Sequence, residues 1–151
     1  APVRLDRSVE VWAVAAMEGY DRPDDPKANA LYALTLDGVT VCHMGDVGNP
    51  LTGEQLAPLR GRIGVLLALA GAKRTIALAD LDEAIDEIGP RTVIPMHYKT
   101  PRVHYELGPL EDFLARHADK PVERRTESWL ELMPETLPEQ PTIVVLKPAL
   151  G

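Results

Sequence analysis

An uninterrupted apolar run places the tightest limit on the fold of this chain. Residues Arg62–Leu69 read RIGVLLAL, without alternation of polar and apolar positions, and such a run is typical of a strand that is covered on both faces. Thr92–Met96 (TVIPM) has the same character. Between them, Ile76–Ile88 carries apolar residues at spacings of three and four and ends at Gly89, which predicts an amphipathic helix. The order strand, helix, strand predicts a layered α/β domain.

A hairpin is predicted before this unit. The dipeptide Asp37-Gly38 separates two apolar segments, Ala30–Leu36 and Val39–His43, and Asp-Gly in this position is a strong hairpin signal because the turn needs positive φ. The segment Val9–Ala16 is rich in β-branched and aromatic residues, which predicts a further strand.

Shorter signals complete the predicted order. The remaining predicted elements are a helix begun by a capping box at Thr52 and Gln55, a helix with Leu110, Phe113 and Leu114 on one face, an exposed strand edge around Arg124-Arg125, and strands at Trp129–Met133 and Thr142–Leu146. Gly19–Lys27, with two prolines and three aspartates, is predicted to be a surface loop.

The charge balance limits the partners of the chain. Asp and Glu number 23 against 16 Lys and Arg, for a net charge of −7, which disfavours binding to nucleic acid or to an anionic membrane surface. No run approaches the ~18 consecutive apolar residues of a membrane span, and the first ten residues lack the apolar core of a secretory signal. We therefore expect a single cytoplasmic domain over residues 1–151.

Histidine and cysteine counts limit the metal chemistry. The single cysteine, Cys42, excludes an intrachain disulfide and a cysteine-rich zinc finger, and is expected to be an inert core thiol. The four histidines are His43, His97, His104 and His117, and they form no His-x-His or His-x-x-x-His pair. A histidine-based metal site would therefore have to gather ligands from distant segments.

Two polar groups follow predicted strands directly. Asp46 lies between Gly45 and Gly48 just after the hairpin strand, and His97 ends the segment Thr92–Met96. Carboxyl ends of strands are where α/β sheets commonly bind ligands, and a carboxylate with an imidazole is half of a metal site. Each also has a structural interpretation, since Asp46 is equally suited to capping the next turn and His97 to hydrogen bonding in a loop.

Longer motifs around these two residues resemble a known family. The runs CHMGDVGNPLTGEQL, RIGVLLALAG, TIALADLDEAI and PRTVIPMHYKT are similar to the carboxyl-terminal half of the metallo-β-lactamase fold, an αββα sandwich, and more narrowly to metal-dependent hydrolases of the ascorbate-6-phosphate lactonase type. FLARHADKPVERR and LPEQPTIVVLKP resemble the closing segments of that group.

The resemblance implies a chemistry. Asp46 matches the aspartate that bridges two metal ions and His97 matches the last histidine ligand, with zinc or another divalent metal as the cofactor. A metal-held hydroxide would attack a lactone, ester or phosphodiester of a small-molecule substrate. His43, Asn29 and Lys99 lie where contacts to the ligands or to the substrate are expected.

The chain also departs from the family pattern. The His-x-His-x-Asp-His cluster is absent, and the stretch where a further histidine ligand is expected reads Ala15-Ala16-Met17-Glu18. A thioether is a poor ligand for such a centre. We therefore expect a hydrolase-like chain that is incomplete or inactive alone and that joins an amino-terminal half or forms a homo-oligomer. The alternative is a non-catalytic binding or self-associating domain that keeps the scaffold without a metal site.

Two side-chain sets receive structural interpretations. The carboxylates of LADLDEAIDEIG are expected to form a solvated helix face. Trp12 and Trp129 are expected to be packing anchors, because two tryptophans without a basic surface do not form a nucleic-acid site.

Overall fold

A computed structural model of the chain describes residues 9–18 and 29–149. Within these ranges the chain forms a seven-stranded sheet in the order β1-β2-β3-β4-β5-β7-β6. The strands are β1 (Glu10–Ala16), β2 (Asn29–Leu36), β3 (Val39–His43), β4 (Val65–Leu69), β5 (Thr92–Met96), β6 (Val122–Arg124) and β7 (Thr142–Val145). The helices are α1 (Gly53–Leu56), α2 (Leu78–Ile88) and α3 (Leu110–Arg116). The mixed α/β class predicted from the sequence is confirmed.

The first three strands form an antiparallel meander. β1 pairs with β2 over seven consecutive residues, and β2 pairs with β3 across the predicted hairpin. Asp37 and Gly38 have φ values of 48° and 84°, as a two-residue primed turn requires. The hairpin prediction is therefore confirmed.

The rest of the sheet is parallel. β3 pairs with β4, β4 with β5, and β5 with β7, while β6 lies on the outer side of β7. The helix α2 crosses from β4 to β5 and ends at Gly89, whose φ of 64° allows its N–H to bond the carbonyl of Ile85. Because parallel strands point the same way, the carboxyl ends of β3, β4 and β5 meet at one edge of the sheet.

The core lies mainly between the helices and one face of the sheet. Apolar residues from all three helices pack there against Leu31, Cys42, Leu66 and Ile143. On the opposite face, a smaller cluster is covered by residues 132–137. Burial raises the pKa of the Cys42 thiol to about 12, so the expected inert core cysteine is confirmed.

Two predictions for the carboxyl-terminal part were wrong. Trp129–Met133 is not a strand, because this segment lies across the face of the sheet, where Leu132 packs against it, rather than at an edge that could pair with it. Trp129 is 65% exposed and is not a packing anchor, whereas Trp12 packs against the core as expected. The predicted exposed strand edge is present as β6.

Other outcomes concern loops, caps and spans. The capping box at Thr52 and Gln55 is present and begins α1. The predicted surface loop Gly19–Lys27 lies outside the described residues. Among the described residues, no helix is long and apolar enough to cross a membrane.

Candidate metal centre

The Asp46 carboxylate is positioned by a tight turn after β3. Gly45 adopts a φ of 63°, and a Cβ at this position would overlap the side-chain oxygen of Asn29. Glycine is therefore the residue that both the backbone conformation and the space permit. The turn leaves the Asp46 side chain 52% exposed at the edge of the sheet.

Asn29, the first residue of β2, stabilises this turn through hydrogen bonds of its side-chain amide. Its Oδ1 accepts the backbone N–H of Asp46 at 3.0 Å, and its Nδ2 donates to the carbonyl of Met44 at 3.3 Å. One side chain thus bonds the backbone on both sides of Gly45. The sequence predicted that Asn29 contacts the ligands or the substrate. In the structure its side chain bonds the backbone that carries Asp46.

His97 occupies a strained turn directly after β5. Its φ of 54° lies in the left-handed region, where residues with a side chain are uncommon and often functional. Gly71, just beyond β4, lies against this turn so closely that a Cβ there would overlap the carbonyl oxygen of His97. The backbone that follows β4 therefore restricts the position of the turn that follows β5.

These two turns bring the predicted pair together. The Nε2 atom of His97 lies 3.9 Å from Oδ1 of Asp46, although the two residues come from strands that β4 separates. Two zinc–ligand bonds of roughly 2.0–2.2 Å span such a gap. The pair is suited in type and spacing to share one divalent cation.

The described residues do not complete a metal site. In residues 9–18 and 29–149, no group of three His, Cys, Asp or Glu side chains is placed to hold a metal ion. The end of β1 does reach the Asp46 loop, since Glu18 bridges Val47 and the Met17 carbonyl accepts the N–H of Gly48 at 3.0 Å. The position expected for a further ligand is thus beside the site but carries Met17 and Glu18.

His43 and Lys99 bond to the backbone around the site. The Nδ1 atom of His43 accepts the N–H of Gly45 at 2.8 Å, so a neutral His43 ring carries its proton on Nε2 and presents a donor. Lys99 donates from Nζ to the carbonyls of Val103 at 2.5 Å and Tyr105 at 3.1 Å. His43 therefore shapes the turn that leads to Asp46, and Lys99 shapes the loop that follows His97.

Sequence reasoning missed the role of Gly71. The available signal was a glycine at the end of a buried apolar run, which also marks an ordinary strand end. Only the contact with the His97 backbone distinguishes a glycine that supports the site from a glycine at an ordinary strand end.

Comparison with known proteins places the chain in a family. The family model described as a β-lactamase superfamily domain matches residues 4–97. The chain belongs to the metallo-β-lactamase superfamily. The match contains both the turn at Asp46 and the residue His97.

Individual relatives agree with this assignment. A UPF0173 metal-dependent hydrolase of Pyrococcus furiosus is 36% identical over 100 residues, covering 66% of this chain and 44% of that protein. One from Pelotomaculum thermopropionicum is 42% identical over 72 residues, covering 46% of this chain and 30% of that protein. The chain thus spans less than half the length of these curated relatives.

A solved structure matches most of the chain. A putative zinc-dependent hydrolase of the metallo-β-lactamase superfamily from Thermotoga maritima superposes with a TM-score of 0.72 at 28% identity. The match covers 92% of this chain and 66% of that one. The fold of the described sheet and helices is therefore that of this superfamily.

Proposed function

We propose that this chain contributes Asp46 and His97 to the divalent-metal centre of a hydrolase that cleaves a lactone, ester or phosphodiester bond in a small molecule. The observation that carries the proposal is the 3.9 Å separation between Asp46 Oδ1 and His97 Nε2. Carboxylate and imidazole are both zinc ligands. The names of the Pyrococcus and Thermotoga proteins support the class of activity, and sequence motifs support the ascorbate-6-phosphate lactonase-like group.

The centre, in this proposal, is complete only when further ligands join the pair. Zinc takes three protein ligands in catalytic sites and four in structural ones, and the described residues offer two. The missing ligands, in this proposal, come from a second polypeptide, such as an amino-terminal half of the fold. The chain alone is then expected to be inactive.

The residues of this chain have defined tasks in such a centre. A bound divalent metal would lower the pKa of a water molecule and polarise the bond to be cleaved. Asn29 holds the backbone that carries Asp46, and Gly71 supports the turn that carries His97. These two contacts orient the ligands before any metal binds, which reduces the cost of assembling the site.

Zinc titration monitored by the histidine ring resonances tests the proposal. We expect the His97 ring signals to shift with weak, saturable binding, because two protein ligands hold zinc less tightly than three or four. The double variant Asp46→Ala, His97→Ala should lose this binding. The matched control His104→Ala, Glu106→Ala removes a histidine and a carboxylate from an exposed loop and should bind as the unchanged chain does.

A turnover assay provides the second part of the test. A model phosphodiester and a model lactone should be hydrolysed by the zinc-loaded chain no faster than by zinc alone. Zinc binding that is unchanged in the double variant, or His97 signals that do not respond to zinc, would contradict the proposed centre. Turnover that the double variant abolishes would show that the chain needs no further ligands.

The second candidate function is a non-catalytic, self-associating domain. It is favoured by the ligand set, which the described residues leave incomplete. A chain of this kind would show no response of His97 to zinc and would still fold and associate.

A further inference from the structure

Residues 99–108 form a closed loop that begins just after His97 and Tyr98. The backbone N–H of Lys99 donates to the carbonyl of Gly108 at 2.9 Å, so the two ends of the segment meet. A compact surface loop whose ends lie close together is an Ω-loop, a type that is frequently functional. The loop 99–108 is therefore a distinct structural unit beside the candidate site.

The ammonium group of Lys99 binds the backbone of this loop. Its Nζ donates to the carbonyl of Val103 at 2.5 Å and to the carbonyl of Tyr105 at 3.1 Å. Hydrogen bonds with an ionised donor are roughly twice as strong as those between neutral groups. Lys99 therefore stabilises the loop 99–108 from its first position.

These bonds also distinguish two roles for Lys99. The sequence predicted that Lys99 contacts the metal ligands or the substrate. An ammonium group has three donors, and two of those of Lys99 are used by carbonyls of its own loop. The geometry therefore favours a role in the structure of the loop.

The far end of the loop binds the backbone that contacts His97. The N–H of Gly108 donates to the carbonyl of Gly71 at 2.7 Å, and a Cβ at Gly108 would lie 2.9 Å from the same oxygen. Gly71 in turn lies against the carbonyl of His97. The loop is thus connected to His97 twice, along the chain through Tyr98 and through space by way of Gly71.

The turn at His97 needs support of this kind. Its φ of 54° is in the left-handed region, and a residue with a side chain keeps such a conformation only where its surroundings enforce it. We propose that Lys99 is a positioning residue for His97. By keeping the loop 99–108 closed, its ammonium group keeps Gly108 on Gly71 and so maintains the turn that places His97 Nε2 3.9 Å from Asp46. The consequence for metal binding rests on the proposed function, whereas the consequence for the His97 turn does not.

Nuclear magnetic resonance of the metal-free chain tests the positioning role. Lys99→Met keeps an unbranched side chain and removes the donors. We expect hydrogen exchange of the Gly108 N–H to accelerate by about tenfold or more, and the backbone carbon shifts of His97, which report φ, to move. A variant that folds with a mobile loop but unchanged His97 backbone shifts would overturn the proposal, because Lys99 would then stabilise the loop alone.

A charge control and a rescue accompany this variant. Arg102 is exposed on the same loop, and in the described part of the chain its side chain has no hydrogen bond or ion pair, so Arg102→Met should leave the His97 signals unchanged. Lys99→Cys can be alkylated with bromoethylamine, whose bromide the thiol displaces, to restore an ammonium group at nearly the length of lysine. Cys42 stays unmodified because it is buried and its pKa is raised to about 12. Failure of the alkylated chain to regain the original His97 signals would also overturn the proposal.

A second variant interrupts the same connection at its other end. The Cβ of Gly108→Ala would meet the Gly71 carbonyl, so this variant should displace the His97 signals even where Lys99→Met does not fold. Because both residues act through one contact, the double variant should displace these signals no further than the larger single effect. Fully additive displacements would contradict the proposed connection.

Zinc titration tests the consequence for metal binding. We expect Lys99→Met to weaken zinc binding at His97 by about tenfold or more, as loss of a residue that orients a ligand commonly does, and Arg102→Met to bind as the unchanged chain does. Equal zinc affinity in folded Lys99→Met would count against the positioning role. If the unchanged chain did not respond to zinc, the proposed centre would be wrong, and the His97 shifts of the metal-free variants would still decide the role of Lys99.

Discussion

The side-chain oxygen of Asn29 accepts the backbone N–H of Asp46 at 3.0 Å, across the turn whose Gly45 touches the same amide. The hydrogen bond joins the first residue of β2 to the loop after β3. The site carboxylate is therefore fixed by a residue of the neighbouring strand as well as by its own loop.

Removal of this amide should loosen the Asp46 turn. Asn29→Ala deletes the bonds to the Asp46 N–H and to the Met44 carbonyl, and we expect a loss of about 1–3 kcal/mol in the free energy of unfolding. Urea denaturation measures this loss. A loss well below about 1 kcal/mol would show that the two bonds of Asn29 contribute little to the stability of this turn.

Substitution of Gly71 should displace His97. The Cβ of Gly71→Ala would meet the His97 backbone, which cannot move aside like a flexible side chain, and we expect destabilisation by about 1–3 kcal/mol. The His97 ring resonance should also shift. Gly53→Ala is the matched control, because a Cβ there meets nothing within 4 Å; a Gly71→Ala chain as stable as this control would refute the contact.

Acid should destabilise the chain through His117. This side chain is 3% exposed, and its Nε2 lies 3.1 Å from Oδ1 of Asp82. Burial lowers the pKa of His117 more than Asp82 raises it, and Lys120 lowers it further. The unfolded chain then binds more protons than the folded chain as the pH falls.

The sign of this linkage sets the pH window. His117 contributes no pH dependence well above its ordinary pKa of about 6.5, and the free energy of unfolding falls as the pH drops below that value. The uptake of one proton changes the free energy of unfolding by at most about 1.4 kcal/mol per pH unit. Denaturation between pH 7 and pH 5 should show a shallower slope for His117→Gln than for the unchanged chain, while the exposed control His104→Gln should keep the full slope.

Several elements were predictable because their causes are local. Side-chain periodicity located α2 and α3, the Asp37-Gly38 turn located the hairpin, and apolar runs located β4 and β5. β4 begins at Val65 rather than Arg62, which is the usual uncertainty at an element boundary. The strand predicted at Trp129–Met133 was wrong for a different reason. A short apolar segment becomes a strand only when a neighbouring edge can pair with it.

The sequence by itself determined which residues end the strands, and so it identified Asp46 and His97 as candidates. Strand identity depends on turn chemistry and on the spacing of apolar residues, which are local properties. The tertiary structure decided that the two side chains lie 3.9 Å apart. It also decided that Asn29 and Gly71 support them, because those contacts depend on strand order and register across the sheet.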